Sequence, residues 1–349
     1  MEEAKKKVTW KRVVLTVVCV ILALILAALI FVTAYIENLM NQLGRPDDST
    51  LSSGQIDDIL NEGGTLNPDD LHWNNDPDYI IDGKHIINIM LIGQDRREGQ
   101  GRQRSDSMIL CTINTKTKTL TMTSFMRDMY VPIPGYREAK INACYQIGGM
   151  QLLDKCLEKN FGVYVDGNIE VDFNGFMDII DLIGGVELEL TATEANYLNA
   201  RGNWDVTEGD NWSLKPGVNK MNGSQALAYS RIRYITSSDS TGRPDSDFGR
   251  TYRQRKVLTA IMEKAKTQPL NKLNDMAQAV VKLVTTDMEN KEILSYITNL
   301  LPLLGELEIV TLRIPADGAY SEATLSDGDQ VIVPDLKKNQ QLLVEALTD

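Results

Sequence analysis

The sequence predicts an α/β fold, a central mixed β-sheet flanked by helices, preceded by one N-terminal transmembrane helix. Three observations carry that prediction. Residues Val13 to Ile36 contain no charge. From Ile86 onward, short apolar runs ended by Gly, Asn or Asp alternate with longer segments of helical spacing, the alternation that builds a sheet covered by helices. Residues 85–349 also supply enough chain to bury a full core.

At about 1.5 Å per residue the uncharged run makes a helix roughly 36 Å long, enough for a hydrocarbon core of about 30 Å with some tilt. Val32-Thr33-Ala34 loosely resembles a signal cleavage site, but the apolar part of a cleavable signal is about 7–15 residues long. The run is therefore read as an uncleaved anchor. Lys5, Lys6, Lys7, Lys11 and Arg12 precede it and Glu37 follows. The positive-inside rule makes 1–12 a cytoplasmic tail and 13–36 a single-pass anchor in the cell membrane, with everything after Glu37 extracellular. Residues 37–84 are polar, acidic and weakly periodic. They read as an extracellular linker, a stalk with one short helix around Ile56–Leu60. Residues 85–349 form the extracellular domain.

Within that domain Ile86–Ile92, stopped by Gly93, reads as a buried strand. Ser107–Ile113 and Thr119–Phe125 read as a hairpin about Asn114-Thr115-Lys116-Thr117-Lys118. A helix with a Gly-Gly break follows over 141–160, then a strand at Ile169–Phe173, a helix at Asn174–Ile183 and a strand at Val186–Leu190. Helices are expected near 222–229, 250–266, 270–284 and 290–303, strands near 307–314 and 330–333, and a last helix after Pro334.

The formal net charge is −12, yet Arg231, Arg233, Arg243, Arg250, Arg253 and Arg255 crowd one short stretch. In a helix over 250–262, Val257, Leu258 and Ile261 mark the buried stripe, and Arg250, Arg253 and Gln254 lie on it. Arg255 and Lys256 point elsewhere, and Arg243 belongs to a loop. Guanidinium groups facing inward are costly unless an anion meets them. A nucleic-acid binder would carry an extended positive field, so the cluster suits a small anion such as phosphate.

The hairpin supplies a counterpart. With its turn near Lys116, Ser107 faces Phe125, so Asp106 and Arg127 emerge at one end of the sheet. Asp95 comes to the same end if the strand before it is a neighbour. Ligands of open α/β sheets sit beyond strand ends. Asp95 and Asp106 are hard oxygen ligands suited to Mg²⁺ or Mn²⁺, while Arg104 and Arg127 are planar donors for phosphate. Arg231 and Arg233 share one face of an extended segment. Arg250 and Arg253 add donors from a first helical turn, where Asp247 either caps the helix or holds an arginine.

Taken singly, each piece has a plainer reading: a turn or cap aspartate, a solvated Arg-x-Arg, carboxylates and guanidiniums that only pair with one another. It is the convergence that points to a phosphate-handling site. His72 and His85, the only histidines, show no metal-ligand spacing and leave a serine–histidine triad unsupported. Cys144 and Cys156 flank Gly148-Gly149, where a disulfide and buried free thiols are both compatible with the spacing.

These same residues carry a resemblance. Asn88 to Asp95, Arg104-Ser105-Asp106-Ser107-Met108 and Ser124-Phe125-Met126-Arg127-Asp128 resemble the opening motifs of the LytR–CpsA–Psr family. Lys140-Ile141-Asn142-Ala143, Val171-Asp172-Phe173, Asp181 to Val186, Gly223 to Arg233 and Asp247 to Arg255 continue the pattern in order. Met126 departs from it, since many members have proline there. The resemblance implies a membrane-anchored phosphotransferase of the bacterial envelope. Such an enzyme moves a glycopolymer (wall teichoic acid, capsular or related polysaccharide) from a polyprenyl-pyrophosphate carrier to peptidoglycan through a phosphodiester bond. It further implies Asp95 and Asp106 as Mg²⁺ ligands. Arg104, Arg127, Arg231 and Arg233 would be catalytic and grip the pyrophosphate together with Arg250, Arg253 and Gln254. Asp128 or Asp247 would activate the acceptor hydroxyl. An apolar tunnel between sheet and helices would hold the lipid tail, with Phe125, Phe173 and Phe176 read as ordinary core. Expected partners are the lipid-linked polymer, peptidoglycan and the membrane, and no nucleic acid. A hydrolase that frees the polymer and a non-catalytic polyprenyl-phosphate binder are the rival readings. A transcriptional regulator is disfavoured because 1–12 cannot hold a DNA-binding domain.

Overall fold

The computed structural model describes residues 34–47, 50–61, 64–66, 71, 73, 77–96, 100–200, 212–233, 235 and 247–348. The chain divides into two compact units, 1–42 and 43–349. In the first, residues 34–40 are helical (α1). Most of the expected membrane span, like Arg243, lies outside the described residues, and among those described no helix is long and apolar enough to cross a membrane.

The second unit is built on a six-stranded mixed sheet of order β10-β3-β2-β1-β6-β9. Its strands are β1 (Ile86–Gln94), β2 (Ser105–Asn114), β3 (Thr119–Phe125), β6 (Gly167–Asp172), β9 (Val284–Thr286) and β10 (Glu308–Ile314). Side chains alternate across a strand, and the register sorts them. Met90 pairs with Leu110 and Ile92 with Met108. Both pairs enter a core with Phe125, Leu153, Leu157 and Leu343, contributed in part by helices α3 (Asn142–Phe161) and α10 (Leu336–Thr348). On the opposite face Leu91, Ile109, Cys111 and Met122 pack with Leu258 and Met262 of α7 (Asp247–Lys266).

Helices α4 (Phe173–Leu182), α5 (Ala192–Asn199) and α6 (Gly223–Arg231), with the hairpin β7 (Val186–Leu190) and β8 (Gly217–Met221), enclose a further core around Ile180, Leu188, Tyr229 and Val257. A Cβ on Gly223 would stand 2.2 Å from the Met177 carbonyl oxygen, so glycine is what lets α6 approach α4. The remaining elements are α2 (Ser53–Asn61), α8 (Leu270–Val280), α9 (Asn290–Leu300) and the short hairpins β4 (Tyr130–Pro132)/β5 (Glu138–Lys140) and β11 (Tyr320–Thr324)/β12 (Gln330–Pro334).

Three expectations change. The β2–β3 register is one residue off: Ile109 faces Ser124 and Asn114 faces Thr119. Asn114 Oδ1 accepts from the Lys116 and Thr117 amides, and Lys118 takes φ 59°, which fixes a four-residue turn in place of the expected five-residue one. The segment expected as a stalk is packed over much of its length. Ile56, Ile59 and Leu60 of α2 join the main core, and Arg45 donates to the carbonyls of Thr286 and Met288. Arg255, expected at the surface, is buried, because α7 packs against α6, β7 and the sheet strands β2, β3 and β10, leaving little of its circumference free. Of the two readings left open for the cysteines, the structure shows the free thiols: Cys111, Cys144 and Cys156 are unbridged, with burial pushing Cys111 up to about 12 and Cys144 well above its ordinary value.

The Gly-Gly break in α3 is real. Gly149 adopts φ 62°, a conformation that side chains rarely take, and a Cβ there would meet Arg102 Nη1 at 3.2 Å.

Candidate active site

The sheet edge formed by the ends of β1 and β3 and the start of β2 meets the N-terminus of α7. Arg127 leaves β3 and pairs with Asp106 at the start of β2. Its Nε also lies 3.7 Å from Asp128 and 3.8 Å from Asp247. Asp247, in the first turn of α7, contacts Arg250 one turn on and stands 3.9 Å from Arg233. Asp106, Arg127, Asp128, Arg233, Asp247 and Arg250 thus form one cluster from four separate chain segments. Asp247 sits in the first turn of the helix and also holds arginines.

Burial and crowding set the charge balance. Burial first, then the neighbouring Arg127 and Arg233, bring Arg250 down to about 10 against the pull of Asp247. Burial raises Asp247, reinforced by Asp128 and opposed by the three arginines. Burial works against the Arg127 charge, but Asp247, Asp128 and Asp106 outweigh it and leave Arg127 raised. At neutral pH Arg127 and Arg250 remain cationic. Arg127 Nε, Arg250 Nε and Asp247 Oδ2 are buried without a hydrogen-bond partner among the described residues. Native interiors rarely leave such groups unsatisfied, and guanidinium N–H groups of this kind are what a phosphate oxygen satisfies.

The other expected residues fall elsewhere. Gln254, one turn beyond Arg250, accepts from Ser107 Oγ at 3.3 Å. Arg231 is exposed and stacks over the Phe173 ring, 4.9 Å from its centroid. Arg104 donates to the Ile59 carbonyl of α2 at 3.1 Å. Arg253 turns into the β7–β8 core side, where it pairs with Glu194 at 2.8 Å and donates to the Ile232 carbonyl. Asp95 follows the last residue of β1. The β1–β2 register shifts between Gly93 and Gln94, so Gln94 faces Ser105 and Asp106 is left as the extra residue. Among the described residues no three or more His, Cys, Asp and Glu side chains gather to hold a metal. The available set is the two carboxylates Asp95 and Asp106 at one strand end.

Beside the cluster, Ser107 and Gln254 also line an apolar cavity of about 120 Å³ between the sheet and helices α4, α6 and α7, walled by Leu91, Ile109, Phe173, Phe176 and Leu258. Phe173 and Phe176 are therefore cavity walls and not simple core, whereas Phe125 is core, edge-on to Phe161 at 5.3 Å. The sequence reading passed over Lys140, which lies 3.9 Å from Asp128 and 2.9 Å from Asp329. Its signal was present in Lys140-Ile141-Asn142, a basic residue directly before a helix start.

The chain is thus an α/β domain whose sheet edge carries a cluster of arginines and aspartates beside an apolar cavity. A family model for the LytR_cpsA_psr family matches residues 63–343. The chain belongs to that family. It is 30% identical over 270 residues to "Regulatory protein MsrR" of Staphylococcus aureus (strain COL), covering 77% of this chain and 76% of that protein. It is 35% identical over 210 residues to "Polyisoprenyl-teichoic acid--peptidoglycan teichoic acid transferase TagU" of Bacillus licheniformis, covering 60% of this chain and 62% of that one. A solved structure titled "TagT bound to LI-WTA" superposes with a TM-score of 0.58 at 26% identity, covering 78% of this chain and 97% of the other.

Proposed function

We propose that this chain transfers a glycopolymer from a polyprenyl-pyrophosphate carrier to peptidoglycan, forming a phosphodiester bond. One observation carries the reading: buried guanidinium N–H groups of Arg127 and Arg250 lack a hydrogen-bond partner among the described residues, and the neighbouring Ser107 (next to Asp106) and Gln254 (one turn past Arg250) line an apolar cavity. A pyrophosphate with a hydrocarbon tail is the ligand chemistry that satisfies both at once. The names of TagU and of the TagT complex support the same class.

In the proposed reaction an acceptor hydroxyl oxygen attacks the polymer-side phosphorus. The bond from that phosphorus to the bridging oxygen breaks, and the lipid monophosphate leaves. Arg127, Arg233 and Arg250 bind the two phosphates and offset the charge that gathers on the leaving oxygen. Arg231, held over the cavity-lining Phe173, offers a further exposed guanidinium, and Gln254 orients the phosphate through its place beside Ser107. Asp247 suits the hydroxyl proton, because burial lifts its carboxyl above the ordinary range and Oδ2 has no partner among the described residues. Asp128 is the more accessible alternative. Arg253 is assigned a structural role, and Arg104 reaches phosphate only by leaving Ile59.

Asp95 and Asp106 would hold a Mg²⁺ or Mn²⁺ ion, Asp106 by exchanging its pairing with Arg127, and water and phosphate oxygens would fill the remaining positions. When bound, the ion supplies charge neutralisation on the pyrophosphate. Residues 13–36 are proposed as the membrane anchor that keeps the domain at the outer face, where carrier and wall meet.

The test uses the full chain in detergent with Mg²⁺, a polyprenyl-pyrophosphate glycan and peptidoglycan. Transfer gives a covalent wall adduct together with lipid monophosphate. Free polymer without adduct marks a hydrolase, and untouched lipid marks a binder; either outcome overturns the reading.

A further inference from the structure

A second groove, of about 660 Å³, runs between α7 and the β7–β8 hairpin. Lys220, Lys256 and Lys264 line it with Glu187 and Glu263. Glu263 is engaged by Lys266 at 3.1 Å, so the lysines dominate the floor of a chain whose formal charge is −12. Two of them are pinned by backbone. Lys256 Nζ donates to the Glu189 carbonyl at 2.6 Å, and Lys264 Nζ to the Gly185 carbonyl at 2.5 Å. An ammonium has three donors, so each keeps others for a ligand while its position is already fixed, which reduces the entropy lost on binding. Burial and then the neighbouring Lys220 lower Lys264, with Glu187 opposing, so Lys220 disfavours the Lys264 charge across the groove. An anion offsets that effect.

The groove shares α7 with the arginine cluster. Lys256 is six residues beyond Arg250 and Lys264 fourteen, which is about 9 Å and 21 Å along the helix axis. Lys256 lies on a different face of the helix from Arg250, but it and Lys264 are eight residues, about 12 Å, apart along the axis, a separation that suits successive charged units of one extended polymer better than a single small anion.

We infer that the Lys220–Lys256–Lys264 groove binds phosphodiester groups of an acidic polymer, read as the glycopolymer part of the donor. The inference rests on the transferase reading for the identity of the polymer, but its binding step stands apart from turnover. It makes charge along the polymer a determinant of specificity.

The experiment measures binding of a fluorescent poly(glycerol phosphate) oligomer to the full chain by anisotropy, with a neutral dextran of equal length as control. The triple variant Lys220→Gln, Lys256→Gln, Lys264→Gln should bind the oligomer about tenfold more weakly or worse, since each exposed charge contributes modestly. Affinity of the wild type should fall with salt, dextran should not bind, and the triple Lys→Arg variant should retain binding. Thermal melts of both variants confirm that they fold; should the Gln variant fail to fold, wild-type salt dependence and the Arg variant decide. Equal binding by wild type and a folded Gln variant, or no binding by the wild type, overturns the inference. No turnover enters these readouts, so the groove can fail while transfer to peptidoglycan stands, and the reverse.

Discussion

Arg250 and Arg253 sit one turn apart on α7 and are both buried, at 5% and 0% exposure, yet they do opposite things. Arg253 has a counter-charge of its own within the fold: Glu194, itself 1% exposed, takes its Nε. Arg250 faces a shared carboxylate, two more arginines and no hydrogen-bond acceptor for its Nε among the described residues. Burial of a charge therefore does not by itself mark a binding site. What separates the two is whether the fold supplies a dedicated counter-charge. Arg253 ties α7 to α5, and Arg250 is left for a ligand.

The first way to break this contrast is stability. Glu194→Ala leaves a buried guanidinium without its partner, and should cost about 3–5 kcal/mol in a denaturant melt. A near-neutral result would remove the structural role of the pair. Next comes Arg250→Ala, which should lower transfer by about 10²–10³-fold while shifting stability far less than Glu194→Ala. If both variants melt alike, the distinction collapses. A third test reaches the strand end: replacing Asp95 and Asp106 together with Asn should abolish activation by Mg²⁺, read as rate against metal concentration. Metal activation that persists in the double variant would move the ion elsewhere.

The smallest expected effect concerns Asp154, whose carboxyl burial pushes up to about 7 against a hydrogen bond from Asn168 and with a further contribution from Asp287. The folded state then holds a proton that the unfolded chain has released, so Asp154 stabilises below its ordinary pKa and loses that contribution as pH rises from about 4 to 7. Asp154→Asn should flatten the decline of melting temperature across that window. An unchanged slope would assign the pH dependence to other groups.

Much of this contrast was legible in the sequence, and the part that was not has physical causes. The inward stripe gave the burial of Arg250 and Arg253 because helical spacing is local. It could not give the partner of Arg253, which is 59 residues away in the chain. Thr191 and Glu194 form a capping box that starts α5. That T-x-x-E signal was available and overlooked, and with it the route to Glu194. The convergence of Asp106 and Arg127 followed from hairpin pairing and survived a one-residue register error, since both lie beyond the paired stretch. The docking of α2 was hidden because the stripe of Ile56, Ile59 and Leu60 does not name the surface it meets, and because Arg104 and Arg137, which donate to carbonyls at its C-terminal end, lie 45 and 77 residues further along the chain. Phe173 read as core because periodicity reports burial and cannot tell a cavity wall from a packed interior.

The central claim is that Arg250, unlike Arg253, is reserved for a pyrophosphate lipid. Isothermal titration of geranylgeranyl pyrophosphate into the full chain in detergent, with geranylgeraniol as the uncharged control, tests it most directly. The account predicts that the wild type binds the pyrophosphate and prefers it to the alcohol. Arg250→Ala should lose that preference by at least about tenfold, equivalent to one strong charge-assisted contact, while remaining folded. Equal affinity of the wild type and Arg250→Ala for the pyrophosphate would contradict it.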